Sequence, residues 1–90
     1  MTTPEQIKQF IESGLPCDHV EVAGDGHHFE AVIVSAAFRG KNKVQQHQLV
    51  YRALGDRMRE EIHALSMQTH TPEEFVGLGP DKLLMQNRRQ

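Results

Sequence analysis

The side chains of this chain best suited to chemistry are imidazoles. Two stand together in Gly24-Asp25-Gly26-His27-His28-Phe29, a glycine-flanked tip that opens an apolar strand. Another stands in Ile62-His63-Ala64-Leu65-Ser66-Met67, about one strand-helix unit later. Imidazole binds borderline metals at neutral pH and titrates close to it. Two imidazole positions hold one side of a metal centre but do not complete a typical four-ligand site. The pattern points to a metal shared with a partner.

Parity alone does not choose between His27 and His28. Side chains alternate across a regular strand, so the two point to opposite sides. His27 keeps step with Phe29, Ala31 and Ile33, and His28 with Glu30 and Val32. A hairpin tip is often irregular, and solvated turn residues are the plain alternative for both. His63 falls in step with Leu65 and Met67, the apolar side of its expected strand. Taken alone, it reads first as a hydrogen-bonded histidine at the core margin. His47, between Gln46 and Gln48, reads as an exposed helix residue, and His19 and His70 are given no role. Cys17 has no cationic neighbour within several positions to lower its pKa, so it reads as an inert thiol.

No Gly-x-Ser-x-Gly elbow, Walker loop, His-Glu-x-x-His or paired-cysteine knuckle is present. Glu60-Glu61 beside His63 is the nearest thing to an acid/base group, and nothing builds a substrate pocket around it. Enzyme activity is not expected. The stretch Arg39-Gly40-Lys41-Asn42-Lys43 is the best nucleic-acid candidate, since Arg39, Lys41 and Lys43 gather positive charge at a helix N-terminus. The Gly-x-x-Gly loop with which KH domains clamp a nucleic-acid backbone is missing there, and a solvated charged turn is the plain alternative.

These groups must be positioned by a short series of elements. Thr3-Pro4-Glu5-Gln6 and Thr71-Pro72-Glu73-Glu74 both carry helix-start signals, with a capping residue, a first-turn proline and a capping-box partner. Ile7, Phe10 and Ile11 follow at helical spacing, and Gly14 is placed to end that helix. His19 to Val22 and Phe29 to Ala36 read as strands joined by a glycine-bearing hairpin. From Asn42 the period becomes helical, with Val44, His47 or Gln48, Tyr51 and Leu54 in register and Gly55 as interruption. Asp56 to Glu61 reads as a further helical turn or two, and Leu65 and Met67 as a third, half-buried strand. The order is α-β-β-α-(α)-β-α, an α+β arrangement with a three-stranded sheet covered by helices on one face. Phe75 is the first anchor of the last helix. Gly77, Gly79 and Pro80 are expected to break that helix, leaving residues 77–90 as a mobile tail that ends in Arg88-Arg89.

Ninety residues make one domain. Hydrophobic residues at 38% and charged residues at 24% suit a small globule with a modest core. A net charge of −2 gives no global attraction to nucleic acid or to an anionic membrane. The single cysteine rules out an internal disulfide. No secretory leader or membrane-spanning run is read, and the cytoplasm is the expected location.

The run Val20-Glu21-Val22, Gly24-Asp25-Gly26-His27-His28-Phe29, Val34-Ser35 and Phe38-x-Gly40-Lys41 resembles the BolA family. His47-Gln48-Leu49-Val50-Tyr51, Ile62-His63-Ala64-Leu65 and Thr71-Pro72-Glu73-Glu74-Phe75 keep the family's order and spacing. The resemblance reaches about residue 76, which sets the expected domain at 1–76, and the tip is most similar to the short IbaG-like bacterial branch. It implies a class II KH-like fold, αββα(α)βα, and partnership with monothiol glutaredoxins of the Cys-Gly-Phe-Ser type in handling [2Fe-2S] clusters. It also implies DNA-binding transcriptional regulation linked to stress and cell shape as an alternative role. The histidine of the Ile-His-Ala motif is the family's most constant cluster ligand, which carries over to His63. The second ligand comes from the loop between the first two strands, which carries over to His28 or His27. A partner cysteine and a glutathione thiol would complete the four ligands of the shared [2Fe-2S] cluster. Without cluster, a monomer or weak homodimer is expected.

Overall fold

Both helix-start signals act as the sequence suggests. The computed structural model describes residues 2–59 and 62–83. Helix α1 spans Pro4–Gly14, and Thr3 caps it in a reciprocal box with Gln6. Ile7 and Ile11 are fully buried one turn apart. Strand β1 covers His19–Gly24 and β2 covers Phe29–Val34, paired antiparallel with Gly24 opposite Phe29. Ser35 ends β2 by capping a short 3-10 turn over Ala36–Phe38, which drives Phe38 into the core.

Helix α2 spans Lys43–Leu54 and is capped by a second reciprocal box, Asn42 with Gln45. Its buried stripe differs from the expected one. Gln46, Val50 and Leu54 face inward, whereas Val44 is 66% and Tyr51 is 42% exposed. Gln46 is accepted in the core because its amide is fully bonded. Its Nε2 donates to the carbonyls of Phe38 (3.2 Å) and Lys41 (2.8 Å), and its Oε1 accepts from the Thr69 hydroxyl at 2.6 Å.

Strand β3, Leu65–His70, lies parallel to β2, giving the sheet order β1-β2-β3. Helices α1 and α2 cover one face, packing on Val20, Phe29, Ala31, Ile33 and Leu65. They cross closely at Gly14, where an added Cβ would fall 2.8 Å from the Ala53 Cα.

The fold is the expected α+β class, with one addition. Val32 and Val34 point away from α1 and α2, yet both are fully buried. Helix α3, Pro72–Leu83, lies on their side, with the Phe75 ring tilted against that of His19 at a centroid distance of 5.0 Å, and His19 pairs with Val34. The expected covering on one face thus holds for α1 and α2, while α3 takes the other face.

Two further expectations are corrected. Gly77, Gly79 and Pro80 do not end α3, which runs through them to Leu83. The cap at Thr71, bonded reciprocally to Glu74, and the Phe75 contact start it firmly. Residues 84–90, with Leu84, Met85, Arg88 and Arg89, lie outside the described residues. Likewise, Asp56–Arg59 forms tight turns with i to i−3 bonds rather than α-helix, and Glu60 and Glu61 lie outside the described residues.

Candidate functional site

The hairpin tip is the four-residue connection Asp25-Gly26-His27-His28 between the paired Gly24 and Phe29. Asp25 organises it. One carboxylate oxygen, Oδ1, accepts from the N–H of His27 at 2.8 Å and of His28 at 2.9 Å. The Asp25 N–H donates in turn to the His28 carbonyl at 3.2 Å. The His28 and then the His27 N–H hold the Asp25 carboxyl below its ordinary value. Gly26 takes φ of +94°, a conformation that other residues rarely adopt. At Gly24 a Cβ would fall 2.5 Å from both the His28 carbonyl oxygen and the Phe29 ring, so only glycine lets the tip close over Phe29.

Both tip imidazoles are exposed. His28 lines a shallow cavity of about 230 Å³ with Ala23, Gly24, Asp25 and Glu30, and His27 is not among its walls. His28 and Glu30 thus share that cavity.

His63 departs from expectation. It lies in a 3-10 turn, Ile62–Ala64, immediately before β3, and it is exposed instead of sitting at the core margin. A 3-10 turn repeats about every three residues, so the two-residue period of the strand does not extend back past Leu65. The location of the turn is informative. Phe29 pairs with Leu65 in a parallel ladder, so the residues preceding each, His28 and Ala64, enter the sheet at the same end. Adjacent strands run about 4.8 Å apart, which makes the tip and the His63 turn neighbours on one rim. Among the described residues no group of three or more His, Cys, Asp or Glu side chains is placed to hold a metal ion.

The remaining candidates lie elsewhere. His19 and His70 flank Val34 at the opposite end of the sheet. His19 Nε2 is 3.1 Å from Glu21 Oε2, without the alignment of a hydrogen bond. His47 is half-buried on α2. The Cys17 thiol donates to the Leu15 carbonyl, and burial, then Glu12 and Asp18, push it up to about 11. It is a thiol, not a thiolate, at neutral pH.

The cationic turn also lies at the far end, and two of its charges are engaged within the fold. Arg39 grips the Glu73 carboxylate with two nitrogens, Nε at 3.0 Å from Oε1 and Nη2 at 2.6 Å from Oε2. Lys43 Nζ donates to the Thr69 carbonyl. The Lys41 side chain is exposed and makes no hydrogen bond or ion pair within the described residues. The α2 N-terminus is partly closed as well, since the Asn42 side chain accepts from the Gln45 N–H. Asp25, Glu73 and Gln46 were not singled out by sequence. For Asp25 the Asp-Gly pair after a strand was a usable signal; the partners of Glu73 and Gln46 are too remote in sequence to be read.

The BolA family profile, described as "BolA-like protein", matches residues 3–74. The chain belongs to the BolA family. It is similar to the acid stress protein IbaG of Escherichia coli K12, 34% identical over 72 residues that cover 79% of this chain and 86% of that protein. It is 44% identical over 57 residues to the DNA-binding transcriptional regulator BolA of Haemophilus influenzae. That match covers 63% of this chain and spans only 55% of the longer relative. Among solved structures, a BolA homologue from Coxiella burnetii superposes with a TM-score of 0.76 at 49% identity, covering 84% of this chain and 99% of that one. The BolA relatives named here carry the names of a regulator and a stress protein, not of enzymes. No described helix is long and apolar enough to cross a membrane.

Proposed function

We propose that this BolA-family chain is an iron–sulfur assembly or trafficking adaptor that holds a [2Fe-2S] cluster jointly with a monothiol glutaredoxin of the Cys-Gly-Phe-Ser type. The observation that carries the reading is the exposure of His63 on the same rim of the sheet as the His27-His28 tip. The donor set fits the cargo in kind. His63 and a tip imidazole, His28 before His27, offer nitrogen to one iron, and thiolates from the partner cysteine and glutathione complete the second. His28 is preferred because it lines a cavity at the tip and His27 does not.

Nitrogen ligation raises a cluster's reduction potential relative to all-thiolate ligation. Ligation also needs neutral imidazole, so acid weakens the complex. Exposure on a rim lets a second protein approach without rearranging the core. The chain acts in the cytoplasm and is a monomer or weak homodimer without cluster. The test is to combine it with the glutaredoxin, iron, sulfide and glutathione, then to size the product and record visible absorption and circular dichroism. A heterodimer with a spectrum distinct from that of the glutaredoxin homodimer is expected. A homodimer spectrum with no heterodimer would refute the reading.

A second reading, DNA-binding regulation of stress and morphology genes, draws on the exposed Lys41 and on the name of the Haemophilus influenzae relative. It ranks below the first because Arg39 and Lys43, the other expected phosphate contacts, are held by Glu73 and Thr69.

A further inference from the structure

We propose that Asp25 is the positioning residue of the metal-binding tip, fixing through one carboxylate oxygen the backbone from which His28 presents its imidazole to the shared cluster. The inference deepens the shared-cluster reading and rests on it.

Asp25 Oδ1 collects the N–H groups of His27 and His28 at 2.8 and 2.9 Å, and the Asp25 N–H closes the ring onto the His28 carbonyl. Three bonds therefore converge on a connection of four residues. His28 is the residue most tightly specified, since its N–H and its carbonyl both bond to Asp25. An imidazole on an untethered tip would be ordered only at the moment of ligation, at an entropic cost that a preformed tip avoids. The carboxylate itself is committed to the backbone, and its role is to aim the ligand. Asp25 is exposed and lies outside the core cluster, so its replacement should leave the fold intact.

Asparagine retains the Oδ1 acceptor and alanine removes it, which separates positioning from charge. Two quantities are measured on wild type, Asp25→Asn and Asp25→Ala. One is amide hydrogen exchange of His27 and His28 in the cluster-free protein; the other is the half-life of the mixed cluster with the glutaredoxin, followed by visible circular dichroism. Asp25→Ala should speed both amides and shorten the half-life, each by roughly ten-fold. Asp25→Asn should restore both to within about two-fold of wild type. The proposal is overturned if Asp25→Ala leaves either quantity unchanged, or if Asp25→Asn fails as badly as alanine, which would assign the effect to charge. A wild type that forms no mixed cluster refutes the shared-cluster reading itself, while unchanged amide exchange in Asp25→Ala refutes the tip-ordering role separately.

Discussion

Replacing Gln46 with methionine should unfold much of the stability margin of this domain although side-chain volume is nearly kept. Gln46 is 4% exposed and joins three segments: the Phe38–Lys41 turn, α2 and β3. Methionine fills the space but bonds to none of them. The Phe38 carbonyl still receives the Lys41 N–H, so it stays satisfied. The Lys41 carbonyl loses the Gln46 amide, and the Thr69 hydroxyl, 1% exposed, loses its acceptor. Orphaning the buried Thr69 hydroxyl costs about 1–3 kcal/mol and losing the bond to the part-buried Lys41 carbonyl about 0.5–1.5 kcal/mol, so the two together cost about 1.5–4.5 kcal/mol. For a domain this small, that corresponds to a fall in Tm of about 10–25 °C. Urea unfolding followed by far-ultraviolet circular dichroism, with Thr69→Val and the double variant, completes a cycle. Gln46→Met/Thr69→Val should recover a good part of the loss, because removing both partners leaves no orphaned hydroxyl. A Gln46→Met protein within about 0.5 kcal/mol of wild type, or a strictly additive double variant, would refute the network's role.

Three other outcomes follow from the same geometry. Gly14→Ala should destabilise by about 1–3 kcal/mol in urea unfolding, since the new methyl meets the Ala53 backbone of α2 and overrides alanine's better helix propensity. The His70 pKa is lowered by burial and then by Lys43, against an opposing pull from Glu74. An imidazole depressed in the folded state gives stability that is present above its unfolded value and lost as pH falls toward the folded one. The urea midpoint should therefore drop as pH falls below about 6.5, and His70→Gln should flatten that drop. If DNA binds the cationic turn, Lys41→Ala should flatten the log–log salt slope by about 0.9 and Glu73→Gln should steepen it by up to about 0.9 through release of Arg39. Equal flattening by Lys43→Ala would contradict the assignment of Lys43 to the Thr69 carbonyl.

Local signals were the legible part of this chain. The Thr3–Gln6 and Thr71–Glu74 boxes, the positive φ of the hairpin's Gly26 and the Ile7–Ile11 spacing each depend on neighbours within a few residues, and each appears as expected. The apolar run Val32-Ile33-Val34 also carried a message that the alternation of the other strands hid. A strand apolar at successive positions is buried on both faces, which is why α3 lies opposite α1 and α2. The inward stripe of α2 was not legible, because the burial of Gln46 depends on Thr69, 23 positions away. At the candidate site the imidazoles were found by residue type and by resemblance, but their shared rim comes from the parallel pairing of β2 with β3. The exposure of His63 depends on a 3-10 turn that breaks the strand period. The pairing joins residues 36 positions apart and is not encoded near the histidine, whereas the turn is local but carries no period that marks it off from the strand.

In the proposed function, His63 and the tip furnish this chain's share of a joint cluster. The half-life of the glutaredoxin mixed cluster, read from its visible circular dichroism, tests it in His63→Ala, His28→Ala and His27→Ala with the apo fold checked by far-ultraviolet circular dichroism. His63→Ala should abolish the mixed-cluster signal or shorten its life drastically, His28→Ala should do more harm than His27→Ala, and all three apo proteins should remain folded. A His63→Ala complex as long-lived as wild type, with the same spectrum, would mean that His63 is not a cluster ligand.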